Sequence, residues 1–284
     1  MKLLRCLLID LEEGLLPLWP LFLGAFGLQL LFGVVLQADA AGLQAESGGP
    51  YATPFSLCDH LAYALAGVRE YPPEEVQRIA FPTGWLFMLL LAAYACLAYP
   101  YRDLTGFGKA VIVAGASRWT WWLAKCLWAI ACIAMFWTVS VAGAAAATFA
   151  CSGSLEAGLQ ECAVVLMRCD TTRLVDASWD MIPFSIGALA MSTSLCLVQL
   201  SLSLALRPTL AFMSTIAVLT ASVFVSCPFL PAEYLMADRT SCLIANGAHP
   251  EAGMVCALGL ALAAVIGGGF LFSRKDILNK EVSA

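Results

Sequence analysis

The chain has 284 residues, 61 % hydrophobic and only 12 % charged, with a formal net charge of −5. Soluble domains average roughly 45–50 % apolar and about 25 % charged residues, so water is excluded as the solvent for much of this chain. The acidic balance also argues against a nucleic-acid surface, which is built on a basic face.

Met1–Gly14 sets Leu3, Leu4, Leu7, Leu8 and Leu11 at helical spacing opposite Asp10, Glu12 and Glu13. That is the pattern of an amphipathic helix lying in a membrane interface; a plain cytosolic extension of the first span reads equally well. No small-residue cleavage site follows, so no cleavable signal is expected. Residues 15–36 form the first predicted span, with Pro17 and Pro20 near its start, where a missing amide donor costs least. Gln29 is its only clearly polar interior residue.

Residues 37–80 are a polar excursion broken by Gly48-Gly49-Pro50 and Pro72-Pro73, with a short helix expected within Pro54–Val68. The second span is predicted at 82–99 and the third at 121–149. The third exceeds the roughly 20 residues needed to cross, so it is expected to tilt or project. A second excursion, 150–180, is partly helical in pattern around Leu155, Leu159, Cys162, Val165 and Leu166. The fourth span is predicted at 181–206, rich in Ser and Thr, and Arg207-Pro208 makes a tight turn into the fifth at 210–230. A third loop, 231–251, leads to the sixth span at 252–272. Gly253, Ala257, Ala261, Ala264 and Gly267-Gly268-Gly269 in the sixth, and Gly143 with Ala144–Ala147 in the third, permit close helix packing. The expected fold is a single all-α integral membrane domain of six transmembrane helices.

With the N-terminus on the cytosolic side, that side carries ten of the 15 Lys and Arg residues against six acidic ones, a balance of +4. The other side carries five basic and 14 acidic residues, a balance of −9. The positive-inside rule therefore expects a multi-pass protein of the cell membrane with both termini cytosolic, its basic side against anionic lipid. Of the 12 cysteines, Cys96, Cys126, Cys132, Cys196 and Cys256 fall in apolar spans and read as small hydrophobes. Cys58, Cys162, Cys169 and Cys242 fall in external loops, with Cys151 and Cys227 at the boundary. A disulfide among these six is compatible with an oxidising compartment, and spacing does not fix the connectivity.

The connection after the second span is the most distinctive stretch. From Arg102 it holds a basic cluster with Lys109, then the run Ala110–Ala114, too short to cross a bilayer. Ser117 is positioned to cap a helix beginning at Arg118, and Trp119, Trp121 and Trp122 are interface anchors leading to Lys125. These features describe a short cytosolic helix joined rigidly to a long span. The order of short helix, Gly115-Ala116-Ser117-Arg118, aromatics and Trp122-Leu123-Ala124-Lys125 resembles the membrane subunits of type-2 ATP-binding cassette (ABC) transporters. The ending Gly269–Ile277 is similar to that family's as well. The resemblance implies a coupling helix docked on a separate ATPase subunit, with Arg102, Lys109, Ser117, Arg118, Trp119 and Lys125 at that contact. It further implies a second permease copy or a homologous permease. The two long external excursions depart from the family's minimal form.

The chain is not expected to be an enzyme or to hold a cofactor. Gly106-Phe107-Gly108-Lys109-Ala110 lacks the leading Gly and the Ser or Thr of a phosphate loop. Glu74-Glu75-Val76-Gln77-Arg78 resembles a membrane prenyl-protease motif, one residue short and outside a span. His60 and His249 are the only histidines and form no ligand-like cluster, and no metal is expected. Gln29 and Gln199, within the spans, read as interhelical hydrogen-bond partners or as lining a pathway. The alternatives are a membrane immunity or sensor protein that transports nothing, and an intramembrane enzyme.

Overall fold

A computed structural model describes residues 2–47, 54–71, 80–97, 99–106, 108, 117–175 and 179–274. Among these the chain is helical, with no β-strand beyond isolated bridges. Lys109 and the run Ala110–Ala114, the motif Glu74–Arg78 and the tail after Arg274 lie outside the described residues.

Helix α1 (Lys2–Leu15) passes through a 3-10 turn at Leu16–Leu18, which contains Pro17, into α2 (Trp19–Ser47). The α2 helix runs on through Gln37–Ser47, the start of the predicted polar excursion, because Ala, Gln, Leu and Glu sustain a helix there without a lipid environment. Helix α3 (Leu57–Ala64) begins at a capping box in which Ser56 and Asp59 satisfy each other's backbone amides. Helix α4 (Thr83–Ala95) ends at Cys96, and α5 (Tyr99–Thr105) follows. The break has a sequence cause: Pro100 has no amide hydrogen, and its ring would meet the Cys96 carbonyl in a continuous helix.

Helix α6 (Arg118–Ala150) is about 50 Å long, well over the roughly 30 Å of a bilayer core. After the short α7 (Glu161–Leu166), three helices each open on proline in the first turn: α8 (Ile182–Ala205), α9 (Pro208–Phe224) and α10 (Pro250–Arg274). Five helical segments are long and apolar enough to cross a membrane: 3–46, 83–104, 118–150, 182–205 and 250–274. This marks a membrane-embedded protein. The α9 helix is shorter, 17 residues, and Val225 turns extended ahead of Pro228.

The spans pack through small residues and hydroxyls. Ser194 and Ser201 on α8 donate to the Ala257 and Ala264 carbonyls of α10, both at 2.8 Å, two matching rungs seven residues apart. Gly143 on α6 lies against the Phe26 carbonyl of α2, where an added methyl would sit at 2.8 Å. Gln199 on α8 donates to the Ala93 carbonyl at 2.9 Å and accepts from Thr215 Oγ1 at 2.9 Å, joining α4, α8 and α9.

At the α3 end of the spans, segments 54–71, 151–175 and 225–249 knit into a cap. Main-chain bonds Leu57 to Ser154, Val175 to Leu243, and Ala237 to Leu65 cross between them. Its centre is the buried guanidinium of Arg239, which donates to the Glu233 carboxylate at 2.7 Å and to the Val68, Ser222 and Val223 carbonyls. Two of those carbonyls end α9, so the cation also completes a helix C-terminus. All 12 cysteines are free thiols, and Cys169 donates to Asp238 Oδ1 at 3.0 Å.

Candidate functional site

The opposite end of the spans holds the second buried charge cluster. Helix α6 carries Lys125 inward, 1 % exposed, where its ammonium pairs with Asp10 of α1 and with Asp103 Oδ2 of α5 at 2.7 Å. Tyr99 donates to Asp10 Oδ1 at 2.8 Å, and the Trp121 indole donates to Asp103 Oδ2 at 2.9 Å. The ammonium lies 4.7 Å from the Tyr99 ring centroid and 5.1 Å from that of Trp121, within cation–π range. Gly14 lets α1 close in: a methyl there would meet the Tyr99 ring at 2.6 Å and the Trp128 indole nitrogen at 2.7 Å.

The cluster has two carboxylates and one ammonium, so its formal charge is −1, and Asp10 Oδ2 has no hydrogen-bond partner among the described residues. A buried pair repays its desolvation only when its geometry is good, so three segments distant in sequence are held in one arrangement here. Beside it opens a cleft of about 570 Å³ between α1 and α5, whose walls include Glu12, Glu13, Arg102 and Asp103. Chemically this is an acidic recess with a guanidinium on its edge.

Other predicted contact residues tie this end together. Arg118 donates to the Ser273 carbonyl at 2.7 Å and, more weakly, to that of Phe272 at 3.4 Å, closing the end of α10. Trp121 stacks on Phe272 at 4.7 Å, and Trp119 meets Phe270 edge-on at 5.7 Å. Arg102 lines the cleft, 5.9 Å from the Tyr99 ring. Ser117 stands before α6, its carbonyl accepting from Trp121 N at 3.1 Å, but its hydroxyl makes no capping bond; the helix starts on main-chain geometry. Gln29 lies elsewhere, buried on α2 against α6 with both amide atoms unpartnered among the described residues, and Gln199 serves the joint between α4, α8 and α9.

Sequence reasoning missed Asp10 and Asp103. The sequence pattern places Asp10 on the polar face of α1, yet it is 4 % exposed and turned to the protein. The available signal was a lone lysine inside a predicted span, which demands a buried counter-charge. No protein-family model, curated protein or solved structure matches this chain.

Proposed function

We propose that the chain is the permease half of an ABC exporter-type complex. In this reading it has six spans, with α9 as the fifth; at about 26 Å that helix needs only modest membrane thinning. Both termini face the cytosol, α1 lies in the interface, and the connection from Arg102 to Lys125 is the coupling segment. Two such permeases, identical or homologous, join two ATPase chains whose nucleotide-driven closure alternates access for an exported substrate. The ATP chemistry belongs to the partner, and the chain itself supplies no catalytic group or cofactor.

One observation carries this reading beyond the sequence resemblance. The Asp10–Lys125–Asp103 cluster fastens α1 and the inter-span connection to the foot of α6, and Arg118 fastens α10 to the same foot. A push on the connection therefore reaches α1 and two long helices, α6 and α10, at once, which a coupling device requires.

The test is recovery of the ATPase with the chain purified from native membranes. Arg102→Glu, at the exposed edge of the cleft, is expected to lose the ATPase while the permease stays monodisperse. Undiminished recovery, or thiol labelling that puts Cys6 outside the cell, sinks the proposal. A chain that brings down no ATPase at all is instead a sensor or immunity protein.

A further inference from the structure

A groove of about 370 Å³ runs between α2 and the start of α4, at the cap end of the spans. That size falls within the roughly 300–1,000 Å³ of small-molecule sites. Its floor is where Phe32 crosses Gly84; a methyl on that glycine would meet the ring at 2.8 Å, so the helices touch there and part above. Its walls are apolar, with Leu31 and Val35 on one side and Phe81, Pro82 and Trp85 on the other. Leu31 is 55 % exposed, Val35 38 % and Phe81 39 %, so the groove opens sideways, toward what would be lipid.

Its outer end is charged. Arg168 lines the groove, is exposed, and pairs with no carboxylate among the described residues. Asp39 on α2, across the groove's lining residue Tyr63, accepts from the Tyr63 hydroxyl at 2.6 Å. Arg168 also adopts φ 61°, a conformation that glycine or asparagine holds more easily. A guanidinium with no carboxylate partner among the described residues stands at this bend, on a side of the protein whose sequence balance is −9.

We infer that this groove is a binding site for an anionic membrane phospholipid, one acyl chain lying between α2 and α4 and the phosphate headgroup on Arg168. The chemistry fits both ends of such a molecule. An acyl chain seated on Leu31, Val35 and Phe81 leaves the lipid phase at little cost, while the exposed Arg168 guanidinium lines the same groove and can reach a phosphate on its long stem. A guanidinium discriminates a singly anionic headgroup from a zwitterionic one, whose own cation competes for the phosphate. The site lies at the far end of the spans from the acidic cleft and does not depend on the proposed ATPase partner.

The test uses the full chain, without any ATPase, delipidated and re-equilibrated with mixed phosphatidylglycerol and phosphatidylcholine, with bound lipid counted by native mass spectrometry. Wild type is expected to retain phosphatidylglycerol in preference to phosphatidylcholine. Arg168→Gln should weaken that retention about fivefold and Arg168→Lys should restore most of it, as one surface cation near a headgroup contributes. Val35→Trp, which fills the groove from an exposed position, should abolish retention of both lipids. Equal retention of the two lipids by wild type, or unchanged phosphatidylglycerol in Arg168→Gln or Val35→Trp, overturns the inference.

Discussion

Lys125 Nζ lies 2.7 Å from Asp103 Oδ2, with side-chain exposures of 1 % and 12 %. Removing the ammonium leaves Asp10 and Asp103 buried together without their shared cation. Lys125→Met should therefore cost about 3–5 kcal/mol, whereas replacing all three charges, with Asp10→Asn and Asp103→Asn added, should recover most of that loss. Thermal unfolding in detergent reads the difference. If the single and triple variants melt together, the cluster is not what holds α1 to α6.

Neighbouring glycines in α10 give a sharper contrast. A methyl on Gly268 would overlap the Trp122 ring and sit 2.8 Å from Ser201 Oγ, while one on Gly267 meets nothing within 4 Å. Gly268→Val should overpack the α6–α8–α10 contact by about 1–3 kcal/mol, and Gly267→Val should be close to neutral. Equal effects on melting temperature would mean that the face of α10 is misassigned.

The two buried glutamines should also part company. Gln199 makes hydrogen bonds to two neighbouring helices, and Gln29 makes none with either amide atom. Gln199→Leu should destabilise by about 1 kcal/mol, the typical net worth of such a bond, while Gln29→Leu should be neutral or stabilising. A loss at Gln29 as large as that at Gln199 would show that Gln29 has a partner in the membrane.

What the sequence revealed follows from which signals are local. Pro183, Pro208 and Pro250 mark helix starts directly, so the predicted starts of the last three spans fall within two residues of α8, α9 and α10. Pro100 carried the break at Cys96 just as plainly, but apolarity alone read the second span through to Tyr99. The end of α2 is hidden because Gln37–Ser47 is polar yet helix-favouring, and that polarity mimics a loop. The segment from Arg102 to Lys125 holds two members of the buried charge cluster, Asp103 and Lys125. Its counter-charge Asp10, more than a hundred residues away, looked like any residue on a wet helix face. Arg239 was less visible still, since its partners Val68, Ser222 and Val223 are backbone carbonyls that no side-chain pattern announces.

The cap should lose stability as pH rises through neutrality, and Asp238 is the cause. Burial raises its carboxyl to about 7, against the opposing pull of the Cys169 thiol, Arg239 and Arg69. A folded-state value above the unfolded one means that the native cap binds the proton more tightly. The contribution is therefore fully present below the ordinary carboxylate range near 4 and is lost as pH climbs through about 7. Asp59, also raised by burial, acts in the same direction. Glu70 runs the other way: burial alone would raise it, but Arg173 and Ser226 hold it below its usual value, so its contribution disappears only in more acidic solution. Between about pH 5 and about pH 8 the melting temperature should fall. Asp238→Asn keeps an oxygen to accept from Cys169 and removes the titration, so it should flatten that slope and melt above wild type at the alkaline end. A profile of unchanged slope in Asp238→Asn would assign the pH dependence to another group.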